Sequence, residues 1–218
     1  MTEASLRALD GLRDLTMLKW YVIPLLAIVF YIYAREIKEA RRSGNWDAVL
    51  AGLTLFGVDF FNETWNGWVL RPDRARRPSG RRPATRPCGP WSAGTSRSCS
   101  CSPSPGIIYY HTISDDPKEK ILGLPNRWFW AIGYAVFCVF VEVLLNIGGL
   151  LVWEYPFWNR SFGGIWLIFV FGYFYFYAAV IFVLGLKKRS KQVLAVAVIY
   201  AVPILMNVIA RAGLGWRY

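Results

Sequence analysis

Residues 71–105 read RPDRARRPSGRRPATRPCGPWSAGTSRSCSCSPSP, and whether this stretch is a loop or a lost helix decides the fold. Apolar, aromatic sequence lies on both sides of it, and here it gives way to arginine, proline and serine. The stretch holds eight arginines and one aspartate, so it supplies +7 of the net charge of +11. It also holds seven of the twelve prolines and three of the four cysteines, Cys88, Cys99 and Cys101. With the charge located there, the basic balance no longer points to nucleic acid. The fourth cysteine, Cys138, falls in an apolar run, so neither a disulfide framework nor metal-ligand spacing is legible.

Outside this stretch the chain is a membrane sequence. Of 218 residues, 55% are hydrophobic and 17% aromatic, and the mean hydropathy is +0.32. Several apolar runs have the ~20 residues that cross a ~30 Å hydrocarbon core. The expected fold is all-α: one polytopic transmembrane helix bundle over residues 1–218. No pattern of basic start, short apolar run and small-residue cleavage site opens the chain. Leu6, Leu9 and Leu12 recur among Arg7, Asp10 and Arg13, which fits either a short interfacial helix or a solvated tail.

Five spans are expected, from about Trp20 to Ala34, Trp46 to Leu70, Trp128 to Trp153, Phe162 to Leu186 and Val193 to Ala210. GIIYYHTI, after the anomalous stretch, reads as the end of a further helix. Trp128, Trp130, Trp153, Tyr155 and Trp158 lie near span ends, where amphipathic rings favour the headgroup region. Basic residues concentrate in three connections: Arg35, Lys38, Arg41 and Arg42; Lys118, Lys120 and Arg127; and Lys187, Lys188, Arg189 and Lys191. Positive residues favour the cytoplasmic side. Five spans cannot put all three connections there, but six can, with the N-terminus outside and 35–45, 112–127 and 187–192 in the cytoplasm of a plasma (inner) membrane protein. The missing span then lies between Leu70 and Tyr110.

Translation in a wrong reading frame would account for both anomalies. Shifted by one base, Trp91-Ser92 reads as valine if the serine codon begins TC, and every Ser–Cys junction gives Leu, Met or Val. With permitted codons, 84–106 can read GDPALRTLVGWNIEILLMFSIAG, an apolar span that joins IIYYHTI. The competing reading is a disordered Arg/Pro-rich loop, unable to bury a core. A ~35-residue loop of that kind is unusual inside a compact bundle.

The second span carries the strongest chemical signal, GVDFFNETWNGW. Asp59, Asn62, Glu63 and Asn66 fall at i, i+3, i+4 and i+7, one face of one helix. Each ionisable residue in a span costs roughly 2.5 to 3.5 kcal/mol on insertion scales and usually faces the bundle interior. Such a face lines a site, or glues helices together through hydrogen bonds. Glu142 and Asn146 repeat the pattern at i, i+4 ahead of Gly148 and Gly149, which would admit a close helix neighbour; Glu154 reads as interfacial. Asn207 and Arg211 follow Pro203 in the last span, where an arginine snorkels to headgroups more often than it neutralises a ligand. Tyr173 and Tyr177 share a face while Tyr175 points elsewhere, which suits aromatic packing as well as a site.

His111 is the one histidine, which excludes multi-histidine metal centres, and no nucleophile elbow, P-loop or dinucleotide fingerprint occurs. No metal or other cofactor is expected. The candidate catalytic residues are Glu63, Asp59 and Glu142, with Asn62, Asn66, Trp65, Asn146, Tyr173, Tyr177 and Asn207 lining the substrate. A carboxyl group in an apolar site stays protonated and serves as a general acid, while a second carboxylate accepts a proton. Aromatic walls would stabilise cationic character. This chemistry suits isomerisation or cyclisation of a lipophilic, isoprenoid-like molecule. Two other classes remain: a small proton-coupled transporter, which liposome flux would reveal, and a lipid-binding accessory protein, in which Asp59 and Glu63 affect stability alone. The partners expected are membrane lipid and a lipophilic small molecule.

Overall fold

The computed structural model describes residues 22–70, 91–92, 104–114, 116, 118–149, 151–153 and 155–215. The expectations for the first 20 residues, for most of 71–105 and for Glu154 lie outside them. Six helices dominate: α1 (Val22–Ser43), α2 (Asp47–Leu70), α3 (Ser104–Thr112), α4 (Asn126–Ile147), α5 (Phe162–Gly185) and α6 (Arg189–Gly213). Within α5, Ile168–Phe174 is a π-helical segment, and α6 ends in another at Ile209–Gly213. Two short strand pairs interrupt the all-α expectation. Trp91–Ser92 pairs in parallel with Leu151–Val152, and Lys120–Ile121 forms a hairpin with Leu124–Pro125. The hairpin turns on Leu122 and Gly123 at φ 50° and 84°, the left-handed pair that a two-residue hairpin loop requires.

Among the described residues three helices are long and apolar enough to cross a membrane: α4, α5 and α6. α1 and α2 have the length, but charges crowd the C-terminal half of α1 from Arg35 to Arg42, and the acid–amide face interrupts α2. Several helix limits differ from the sequence expectation. α1 continues to Ser43, where Gly44 at φ 78° ends it. Asn45 Oδ1 then accepts the Asp47 N–H at 2.9 Å and starts α2, with the Asp47 charge at the positive end of the helix dipole. α4 stops at Ile147 rather than running to Trp153. Gly148 and Gly149 do not admit a neighbouring helix; Gly149 takes φ 69° and reverses the chain.

The core forms where small residues on α2 and α4 let large ones from α3 and α5 enter. Ala51, Leu55 and Val58 of α2 and Ala131 and Ala135 of α4 meet Tyr109 of α3 and Phe176, Tyr177 and Val180 of α5. α2 lies at the centre, packed on α3, α5 and α6. α3 runs antiparallel to it: Asn45 Nδ2 donates to Tyr110 OH at 3.0 Å, and Gly106 lies against Ala51 and Gly52. All three basic connections gather at one end of the bundle. Arg189 pairs with Asp47 at 2.6 Å, and His111 with Glu36 at 3.1 Å. The α4–α5 loop lies at the other end, where Tyr155 reaches Asn66 near the end of α2.

Candidate functional site

The polar face predicted on α2 is turned into the bundle. Asp59 and Asn66 are buried at 3% and 4% exposure, and Asn62 and Glu63 are half-buried one turn along. Thr64 is buried as well, donating to the Phe60 carbonyl at 2.9 Å. Trp65 sits on the opposite side, 51% exposed and stacked on Phe61, away from the acids. Residue 65 is about 200° around the helix from residue 63, because each step turns the chain by 100°.

α4 brings a third carboxylate. Glu142 is buried at 6% exposure and hydrogen-bonds Tyr173 of α5. Its Oε1 also accepts Trp153 Nε1–H at 2.7 Å. Cys138, one turn earlier on the same face, lies within electrostatic reach of Glu142 and 4.0 Å from the Tyr177 hydroxyl. Asn146 is spent on the loop that follows: it donates to the Leu151 carbonyl at 3.0 Å and accepts Arg160 Nε–H at 2.9 Å.

α5 is wedged between these two helices and contributes three tyrosines. Tyr173 bridges to Glu142 and also feels the Asp59 charge. Tyr177 faces Cys138 and packs into an aromatic cluster, with ring centroids 5.2 Å from Tyr109 and 5.7 Å from Tyr134. Tyr175 lies on another face than Tyr173 and Tyr177, and there it feels the charges of Asp59 and Glu63. The physical reason is that α5 has acids on two sides, so residues on its opposite faces both meet carboxylates.

Asn207 joins α6 to α2, its Nδ2 donating to Thr64 Oγ1 at 3.1 Å and to the Pro203 carbonyl at 2.8 Å. Pro203 is buried inside α6, and Arg211 is exposed on the final π-helical segment. Thus Asp59, Glu63, Glu142, Asn66 and Tyr173 are brought together, Tyr177 borders them, and Asn207 and Asn146 serve contacts between elements. Trp153, Tyr155 and Tyr175 escaped the sequence reading. The first two carry the signature of headgroup anchors, and their inward turn rests on a chain reversal at Gly149. Outside the spans, burial, with the Glu63 charge second, pushes the Tyr155 phenol up to about 12. Among the described residues no group of three or more His, Cys, Asp or Glu side chains could hold a metal ion.

Fold and site together define a helical integral membrane protein, in contact with lipid, that encloses an acid, amide and tyrosine cluster. The chain belongs to an uncharacterized membrane protein family, whose pattern matches residues 2–76 and 104–212. It is 33% identical over 226 residues to an uncharacterized protein of Archaeoglobus fulgidus, with 99% of each chain covered. No solved structure matches it.

Proposed function

We propose that the cluster transfers protons to and from a lipophilic, isoprenoid-like substrate, shifting a double bond or closing a ring. The observation that carries this reading is the convergence of carboxyl groups from α2 and α4 on the tyrosines of α5. A protonated carboxyl on one helix adds its proton to a substrate double bond. The carbocation so formed is stabilised by the faces of Tyr173 and Tyr177. A carboxylate on the other helix removes a proton from an adjacent carbon, and the double bond re-forms one position away. One proton enters and one leaves, so neither oxidant nor cofactor is required. Exchange with water resets the pair, as the second carboxyl releases its proton and the first takes one up.

Incubation with isoprenoid lipids in D2O tests this, because each turnover places solvent deuterium in the lipid, read by mass spectrometry. Glu63→Gln should abolish incorporation while the helical content and melting behaviour persist. Incorporation retained in a folded Glu63→Gln protein removes the reading.

We also propose that α1 and α2 cross the membrane, that the intact fold has six spans with the basic connections in the cytoplasm, and that about 71–105 is translated out of frame. The gathering of all three basic connections at one end supports the topology. The family match, which stops at 76 and resumes at 104, supports the frame change. So does length. From the level of Ala51, where α3 begins beside α2, to Leu70 is about 28 Å at 1.5 Å per residue. A returning helix of about 19 residues fits within the 27 positions that the match leaves out. The nucleotide sequence across these codons tests it: single-base changes at the two edges should yield an uninterrupted apolar span. Codons that cannot encode one would leave the basic loop as the true sequence. The proton-transfer assay is therefore run on the chain as given and on the frame-restored form.

A further inference from the structure

The polar ends of α2 and α4 are closed by a single loop. After Gly149 reverses the chain, the α4–α5 connection folds back onto both helices. Trp153 Nε1–H donates to Glu142 Oε1 at 2.7 Å, and Tyr155 O–H donates to Asn66 Oδ1 at 2.7 Å. Arg160 ties down the far side through Asn146 Oδ1 at 2.9 Å and the Asn146 carbonyl at 3.1 Å. Two buried acceptors, one on each helix, thus take donors from the same irregular segment. Beyond the two-residue strand Leu151–Val152, that segment is held by side chains: Trp153, Tyr155 and Trp158 are half-buried, and Pro156, Phe157 and Arg160 are exposed. Loops of this kind open at lower free energy than the helices they connect.

We propose that this loop is a displaceable plug, with Trp153 and Tyr155 holding the acceptor positions on Glu142 and Asn66 that the hydroxyl of a lipophilic alcohol takes when the loop withdraws. The chemistry selects that ligand class. Both positions accept hydrogen bonds, which calls for a donor. Asp59 and Glu63 lie close by, so a phosphate or carboxylate headgroup would meet like charge. The choice of ligand rests on the reading of the cluster as a site for lipophilic molecules; the plug itself does not.

Cys138 supplies a reporter, one turn below Glu142 and half-buried beside Tyr177. In the full chain with Cys88, Cys99 and Cys101 replaced by serine, it is the one thiol left. The protein is placed in phosphatidylcholine vesicles and treated from the medium with a charged maleimide that cannot cross the bilayer. Labelling should be slow in the parent. Trp153→Phe with Tyr155→Phe leaves an aromatic ring at both positions and removes both donors, and should raise the labelling rate about tenfold or more. Farnesol should raise it in the parent too. Where the double variant loses its monodisperse state, Tyr155→Phe alone and hydrogen–deuterium exchange of 151–161 with and without farnesol take its place. Faster exchange with farnesol is expected. A folded variant that labels at the parent's rate, or loop exchange unchanged by farnesol, overturns the proposal. Neither readout requires turnover, so a plug that opens in a protein showing no deuterium incorporation would retire the proton-transfer reading alone.

Discussion

Gly106→Ala probes a close backbone-to-backbone contact between α3 and α2, and its effect can be worked out in advance. A Cβ at this position would lie 2.6 Å from the Ala51 carbonyl oxygen and 2.8 Å from the Gly52 Cα. Both are backbone atoms of the central helix, so no side chain can swing aside. Ordinary contact begins at 3.4 Å, so α3 has to retreat by about 0.8 Å. Tyr109, fully buried one turn on, moves with it. Its hydroxyl bond to the Arg127 carbonyl would stretch from 2.8 Å to about 3.6 Å, beyond hydrogen-bonding range. Overpacking costs about 1 to 3 kcal/mol and the lost hydrogen bond about 1 kcal/mol. The better helix propensity of alanine returns up to about 1 kcal/mol. The net destabilisation is about 1 to 3 kcal/mol, and each kcal/mol lowers the Tm by about 2 to 4 °C at this chain length. The assay is thermal unfolding in detergent, followed by circular dichroism. Gly133→Ala in α4 is the control, since nothing lies within 4 Å of its added methyl, and it should match or exceed the parent. A Gly106→Ala protein that melts at or above the parent temperature would falsify the close packing of α3 on α2.

Other substitutions separate structural from chemical roles. Asn207→Leu should cost about 1 kcal/mol, seen as a Tm lower by a few degrees, because it removes the tie between α6 and Thr64. Arg189→Ala breaks an exposed pair with Asp47 and should change stability by less than about 1 kcal/mol, with the difference shrinking in high salt. Glu142→Gln should leave melting close to the parent, since the amide oxygen still accepts Trp153 Nε1–H, yet it should stop deuterium incorporation. The Tyr155 phenol, raised to about 12 in the folded protein, adds stability that is fully present below about 10 and is lost as pH rises through 12. Tyr155→Phe should flatten that alkaline loss in a melting series and remove one late-titrating phenol from the absorbance at 295 nm.

The inward turn of the polar face of α2 could be read from spacing alone. Asp59, Asn62, Glu63 and Asn66 share one helical face, and the cost of placing such groups against lipid turns that face inward. Glu142 was legible for the same reason. Spacing fails where partners come from outside the helix. Trp153 and Tyr155 stand next to the end of a span and look like headgroup anchors; their inward turn depends on the reversal at Gly149, which no periodicity encodes. Tyr175 looked idle beside Tyr173 and Tyr177, because a helix wheel does not say how many neighbours a helix has. Trp65 belongs to the polar stretch in sequence but not to its face. The count of spans was least legible of all, since polar groups on one face lower the apolar signal of the helix that carries them.

The hairpin between α3 and α4 has a bearing on how the protein floats. Leu122 at its tip is 89% exposed and holds a left-handed φ of 50°. For a branched apolar side chain both conditions are unfavourable in water. The segment that leads to it carries Lys118, Glu119 and Lys120, all exposed. An exposed apolar tip at the basic end of the bundle matches the boundary between acyl chains and headgroups, where the leucine would be solvated by lipid. The hairpin would then act as a draught mark. It would set the depth to which the basic end of the bundle sinks, and with it the level in the bilayer at which the acids are held.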